Sequence, residues 1–287
     1  MNEKMKNLWV RSLSGAVLVV IVLGAILWSK WSFAALLMAI LIGGEWEFYR
    51  MAGKAGYSPQ RVLGLVAGAI ILAVAFILMR LVDEHTTVSS KYLMIALGLA
   101  LYIMMLIPVM FICELYRKSP TPIANIGSTL MGVVYVAMPL ALLFFIPLLL
   151  GRGVWNPWAL IFYIFIIWAN DVCAYLVGMS IGRHRLFQRI SPKKSWEGFV
   201  GGLIGAMATG YVASTVMEGT HTIWIGMALI AAVTGVFGDL VESLLKRSVD
   251  VKDSGNILPG HGGWLDRFDA LLLSIPFVFI YLVFCIN

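Results

Sequence analysis

Charge is scarce in this sequence. Only 13% of its 287 residues are Asp, Glu, Lys or Arg, while 61% are hydrophobic; a soluble domain carries roughly a quarter charged residues. That deficit excludes a water-covered globule, because most side chains must face lipid or other apolar helices. A length that would permit two soluble domains is therefore read as one membrane-embedded unit. Cysteine is scarce too. Cys113, Cys173 and Cys285 stand far apart in or beside apolar runs, and an odd, dispersed set gives neither a disulfide framework nor a zinc site. They read as small buried hydrophobes. Tandem repeats and low-complexity linkers are lacking. So is a small-residue cleavage site after the first apolar run: Lys4, Lys6 and Arg11 precede it, but Trp28-Ser29-Lys30-Trp31 leads directly into the next run. A retained first span is expected rather than a signal peptide.

What the chain has in abundance is apolar runs. Crossing about 30 Å of hydrocarbon takes on the order of 20 apolar residues per helix. Such runs lie near Leu13–Trp28, Trp31–Phe48, Val62–Val82, Tyr92–Cys113, Ile126–Leu150, Trp158–Met179, Phe199–Met217, Ile223–Leu245 and Ala270–Ile286. They are too long and too uniformly apolar for alternating barrel strands. The expected fold class is all-α, a polytopic helical membrane protein with about nine transmembrane helices. Residues 1–150 form an N-terminal bundle of about five spans, and 151–287 a region of about four spans with the polar loops. The two are expected to integrate into one membrane domain.

The net charge of +6 records orientation rather than nucleic-acid binding. With the N-terminus cytoplasmic, only Lys30, Arg80, Lys91 and Arg152 of the 21 Lys and Arg fall on the outer side or at span ends. All the others lie in inner segments, the pattern by which membrane proteins set their topology. A multi-pass protein of the inner (cytoplasmic) membrane, with its polar loops facing the cytoplasm, is the expectation. The first five spans hold few polar residues apart from Glu45 and Glu47, whose spacing points them to different helix faces. An interfacial position beside Arg50 is the simpler reading of that pair.

Polar residues gather in the last third. Trp168-Ala169-Asn170-Asp171 places a carboxylate inside the sixth run, where an acid faces a partner helix or a watery cavity. Ser191-Pro192-Lys193-Lys194-Ser195 precedes a helix start; adjacent lysines with open backbone N–H groups bind anions, although positive-inside anchoring explains them equally well. Gly198, Gly201, Gly202 and Gly205 follow at spacings that let another helix approach closely. The eighth run ends with Asp239, Glu242, Ser243 and Lys246 on one helical face, at i, i+3, i+4 and i+7. Self-compensation within that stripe is the structural alternative to a site.

The one long polar segment comes next: Lys252-Asp253-Ser254-Gly255, Pro259-Gly260-His261-Gly262-Gly263 and Asp266-Arg267-Phe268-Asp269. Asp266 and Asp269 share a face of one turn and, with Asp239, suit a hard cation that takes oxygen ligands and leaves positions for phosphate. The glycines around His261 allow backbone to approach a phosphate. His261 has no cysteine or second histidine beside it, so zinc is disfavoured. Carboxylates for a hard divalent ion together with Lys and Arg for phosphate oxygens suit phosphoryl or nucleotidyl transfer. At a membrane boundary they imply one lipid substrate and one soluble phosphate-bearing one. Which nucleotide is not legible from these residues.

The run from Ser243, Lys246 and Arg247 through Lys252-Asp253-Ser254-Gly255, Pro259-Gly260-His261-Gly262-Gly263, Asp266-Arg267 and Asp269 resembles the motif of the phosphatidate cytidylyltransferase (CDP-diacylglycerol synthase) family. Asn170-Asp171, Tyr175, Ser191-Pro192-Lys193-Lys194 and Glu197-Gly198 resemble family blocks in the same order. Trp264 stands where the family usually has an aliphatic residue, and Ser195 where threonine is common. The first five spans resemble the family only in hydropathy. The resemblance implies the reaction CTP + phosphatidic acid → CDP-diacylglycerol + pyrophosphate, a membrane homodimer, a divalent ion such as Mg²⁺ or Mn²⁺, and a monovalent cation such as K⁺. It implies Asp239 and Asp266 as first metal ligands, then Asp269, with Asp171 among the catalytic acids beside Lys246 and Arg247. It further implies Lys193, Lys194, Ser195, Ser243, Lys252, Asp253, His261 and Arg267 as substrate-binding residues. Two rival readings remain: a related CTP-dependent enzyme acting on another lipid, and a cation-coupled transporter with Asp171, Asp239 and Glu242 as its ion path. The transporter reading is weakened by the lack of an inverted repeat.

Overall fold

A helix satisfies its own backbone hydrogen bonds, and that is why the apolar runs fold as helices where no water can do so. The computed structural model describes residues 3–83, 90–255 and 262–286. Helices α1 (Glu3–Trp28) and α2 (Lys30–Lys54) are separated by Ser29 alone. Its backbone is extended, and its hydroxyl and that of Ser32 each accept the other's backbone N–H at 3.0 Å, a reciprocal cap that starts α2. Helices α3 (Arg61–Asp83) and α4 (Ser90–Arg117) follow. The fifth span, Pro122–Leu150, is interrupted: α5 (Pro122–Gly132) runs into a π turn at Val133–Ala137, then α6 (Met138–Leu143) and α7 (Ile146–Leu150). Pro139 and Pro147 lack the N–H groups a regular helix would use there.

The C-terminal region contains α8 (Pro157–Ile181), a two-stranded antiparallel hairpin of β1 (Arg185–Phe187) and β2 (Ser191–Ser195), then α9 (Trp196–Val216), α10 (His221–Ser248) and α11 (Leu265–Ile286). Among the described residues, eight helical segments are long and apolar enough to cross a bilayer, and Ser12–Trp28 of α1 adds a shorter apolar stretch. The chain is thus an all-α multi-pass membrane protein, with the hairpin as a minor addition in a segment read above only as a loop. Helix α11 begins five residues before the expected Ala270, so Asp266 and Asp269 stand in its first turns. Cys113 and Cys285 lie on outer faces of apolar helices rather than in the protein core, and Cys173 is half-buried; all three are thiols without a bridge.

Glycines set the close helix contacts. Gly201 meets Val177, Gly202 meets Ala174 and the Asn170 backbone, and Gly205 meets Cys173, so the small-residue stripe of α9 packs on α8 as its spacing predicts. Gly238 has the larger consequence. A Cβ there would stand 3.0 Å from the Ala270 Cα and 2.5 Å from the Asp269 carbonyl oxygen. Its absence lets α10 rest on the backbone of α11, which brings Asp239 and Glu242 beside Asp269. Gly238→Val is expected to cost roughly 1–3 kcal/mol or more through overpacking against backbone that cannot yield. A detergent melting temperature equal to the wild type's would count against this contact. At the opposite end, Lys30 of α2 pairs with Asp83 of α3, which also accepts the Trp155 N–H at 2.6 Å.

Candidate active site

The C-terminal part of α10, the first turns of α11, the interior of α8 and the hairpin supply the polar residues. Carboxylate oxygens of Asp239, Glu242 and Asp269 lie within 4.8 Å of one another. The helical stripe on α10 is real: Ser243 Oγ donates to Asp239 Oδ1 at 3.2 Å, and Lys246 pairs with Glu242 one turn back. Lys194 Nζ reaches across from β2 to Asp239 Oδ2 at 2.6 Å. Lys246 Nζ also donates to Asp266 Oδ1 at 2.6 Å. Asp266 is satisfied on its other oxygen by the Ser254 N–H at 2.9 Å and the Gly263 N–H at 2.8 Å, and it shares the Ser254 hydroxyl proton, 2.9 Å away, with Glu47. The expected Asp239, Asp266 and Asp269 line one cavity together. Glu242 joins the cluster, and Asp266 stands behind Lys246, tied to the loop.

Three cavities meet at these acids. One of about 270 Å³ is lined by Asp171, Asp239, Lys246, Asp253, Asp266, Arg267, Asp269 and Ala270. A second, of about 490 Å³, lies by the hairpin, where Arg185, Lys193, Lys194 and Ser195 face Asp171, Tyr175, Phe199 and Asp239. The third, of about 300 Å³, is an apolar slot. Leu18, Val22 and Ile26 of α1, Phe33, Leu36 and Leu37 of α2, and Ile164 and Trp168 of α8 lead in it to Asp171, Asp266, Arg267 and Asp269. Asp171 touches all three. Its Oδ1 accepts from Asn170 Nδ2 at 3.5 Å.

Other expected residues take lesser or different places. Ser195 is buried, and its hydroxyl accepts the Gly198 N–H at 3.1 Å, capping α9. Glu197 receives the N–H groups of Arg183 and His184 and so anchors the start of the hairpin. Arg247 is exposed and donates to the Val251 carbonyl at 3.3 Å, away from the cluster. Lys252 is exposed and lines none of the three cavities, while Asp253 lines the acidic one. His261 lies outside the described residues. Trp264 stacks on Phe268 and fills the space left by Gly43 of α2.

Glu45 and Glu47 differ from their interfacial expectation: they are 0% and 1% exposed. Glu47 Oε2 accepts the Ser254 hydroxyl at 2.9 Å and the Leu265 N–H at 3.0 Å. Two uncompensated acids in one apolar run were the available signal.

The donor set suits a hard divalent cation. The acidic cavity is walled by five aspartates against Lys246 and Arg267, and Glu242 Oε1 has no hydrogen-bond partner among the described residues. Carboxylates this close repel by roughly 3–4 kcal/mol per pair at an effective dielectric near 20, and a bound cation relieves that. Oxygen-only ligands favour a hard ion over zinc.

A sequence profile of the cytidylyltransferase family matches residues 9–285. The chain belongs to this family. Among cytidylyltransferases with curated descriptions, the phosphatidate cytidylyltransferase of Bacillus subtilis (strain 168) is 47% identical over 119 residues, 41% of this chain and 44% of that protein. That of Staphylococcus aureus (strain COL) is 45% identical over 120 residues, 41% and 46% of the two chains. That of Rickettsia bellii (strain RML369-C) is 34% identical over 185 residues, 62% and 77%. The chain spans about half the length of the first two relatives in these matches and about three quarters of the third.

Proposed function

We propose that this cytidylyltransferase joins CTP to phosphatidic acid, forming CDP-diacylglycerol and pyrophosphate. One observation carries the reading: an apolar slot between spans and a basic cavity beneath the hairpin both open onto the same acidic wall at Asp171. A lipid with a phosphate head and a soluble triphosphate need that combination. Acyl chains lie in the slot formed by α1, α2 and α8. The triphosphate lies against Lys193, Lys194 and Arg185, whose charges gather phosphate oxygens. A phosphatidate phosphate oxygen then attacks the α-phosphorus of CTP. The bond from that phosphorus to the bridging oxygen breaks, and pyrophosphate leaves.

Phosphatidate is already an anion, so the protein needs no strong base. Its task is to hold two mutually repelling phosphates in line. Asp239, Glu242 and Asp269 would hold the divalent ion, Mg²⁺ in this proposal; a second, monovalent ion such as K⁺ rests on the family resemblance alone. Such an ion offsets the charge of the reacting phosphates and of the departing pyrophosphate. Lys194 and Lys246 orient the carboxylates. The side of the membrane that carries the site also carries most of the Lys and Arg, which supports a cytoplasm-facing site in the inner membrane. A homodimer rests on the family resemblance alone.

Detergent-purified protein given labelled CTP, phosphatidic acid and Mg²⁺ is expected to yield CDP-lipid and one pyrophosphate per turnover, and EDTA should stop both. A protein that is inert with phosphatidic acid but active with an isoprenoid alcohol or an ether phosphatidate would overturn the choice of lipid. One inert with all of them would overturn the reaction.

A further inference from the structure

Glu47 has no part in the chemistry above, yet its surroundings are specific. It is on α2, buried, and it contacts Ser254, 207 positions further along the chain. Its Oε2 accepts both the Ser254 hydroxyl and the Leu265 N–H. Leu265 opens α11, where first-turn N–H groups have no intrahelical acceptor, so a residue of α2 caps a helix of the other half of the molecule. Glu47 Oε1 has no hydrogen-bond partner among the described residues and lies against the Cα atoms of Gly255 and Gly263, where a side chain on either glycine would collide with it. One turn along α2, Arg50 Nη2 donates to the Ser254 carbonyl at 2.5 Å. Ser254 passes the constraint on: its N–H donates to Asp266, which holds Lys246, and its single hydroxyl proton is shared between Glu47 Oε2 and Asp266 Oδ2, each 2.9 Å away.

A buried acid is a costly way to join two helices, and apolar side chains would do so with less desolvation. What a carboxylate adds is direction. Two converging donors fix where Ser254 and the start of α11 stand, and a negative group at that helix end also meets the favourable end of its dipole.

We propose that Glu47 is a positioning residue for nucleotidyl transfer: through Ser254 and the first turn of α11 it sets the places of Asp266, Lys246 and Asp269. Arg50 is the second half of the same clamp. The inference rests on the transfer reading above, and its test separates the two. CDP-lipid formation and amide hydrogen exchange over residues 262–270 are measured in parallel for the wild type, Glu47→Ala, Glu47→Gln and Arg50→Ala. Misplacement by about 1 Å can cost on the order of a hundredfold in rate. Glu47→Ala should therefore lose about that much in kcat, with KM for CTP changed by less than roughly threefold. Exchange at Leu265 should rise at least about tenfold as its acceptor disappears.

In Glu47→Gln the amide oxygen keeps both acceptor bonds. That variant should recover protection and come within about tenfold of wild-type kcat. Arg50→Ala, altered at an exposed residue, should show both changes at smaller size. Wild-type kcat in Glu47→Ala overturns the proposal, as does unchanged exchange, or a Gln variant no better than Ala. Should Glu47→Ala not fold, wild-type behaviour of Arg50→Ala in both measurements overturns it instead. A wild type that forms no CDP-lipid sinks the transfer reading and with it the catalytic half of this proposal, while exchange still reads the clamp without turnover.

Discussion

Asp269→Asn is expected to lower Mg²⁺-dependent turnover at least about a thousandfold while leaving the protein as stable as before, or more so. A thousandfold corresponds to about 4 kcal/mol of lost transition-state stabilisation, a reasonable size for one ligand of an ion that offsets two phosphates. The stability half follows from the same geometry. Asp269 lies within 4.8 Å of Asp239 and Glu242, and its Oδ1 accepts the neighbouring Ala270 N–H at 2.7 Å. Asparagine keeps the shape and that bond but removes a charge from a crowded set, relieving repulsion of roughly 3–4 kcal/mol per pair. Sites that bind ions are often strained without them, so lost activity with gained stability marks a functional cluster. Initial rates and melting temperatures in one detergent decide the matter. Near-normal turnover would remove Asp269 from the ion site; a fall in melting temperature would mean the carboxylate is structural.

The spans were legible because a bilayer leaves the backbone so little choice: twenty apolar residues become a helix. Helical spacing likewise made the Asp239–Ser243 and Glu242–Lys246 contacts foreseeable, since both are i, i+4 pairs on α10. The identity of the clustered acids was harder to read. Glu242 and Asp266 both reach Lys246, and only the three donors from Ser254 and Gly263 draw Asp266 off toward the loop. No local pattern encodes that competition. Glu47 was less legible still, because its partners lie 207 and 218 positions away. Two turns of α2 look alike in sequence whether their acid meets solvent or a loop from the other end of the chain. The approach of α10 to α11 at Gly238 depends on tertiary packing in the same way.

Lys246→Met should be the most destabilising single change in the site. Lys246 is 12% exposed and sits between Glu242, at 1%, and Asp266, at 7%. With the ammonium gone, two buried carboxylates are left without their shared cation. Breaking a buried pair in this way costs about 3–5 kcal/mol, enough for a fall of at least about 5 °C in melting temperature. Methionine replaces the four-atom apolar stem of lysine without its ammonium, so lost packing contributes little. Adding Glu242→Gln to Lys246→Met should restore most of the stability, because Asp266 keeps its bonds to Ser254 and Gly263 and no longer faces a second charge. Activity should not return, since the double variant lacks both the proposed ion ligand Glu242 and the cation that pairs with it. A shortfall from additivity in this cycle measures the coupling of the two residues. If Lys246→Met melts with the wild type, or the double variant is no more stable than the single one, the ion pair is not what holds α10 against α11 at the membrane surface.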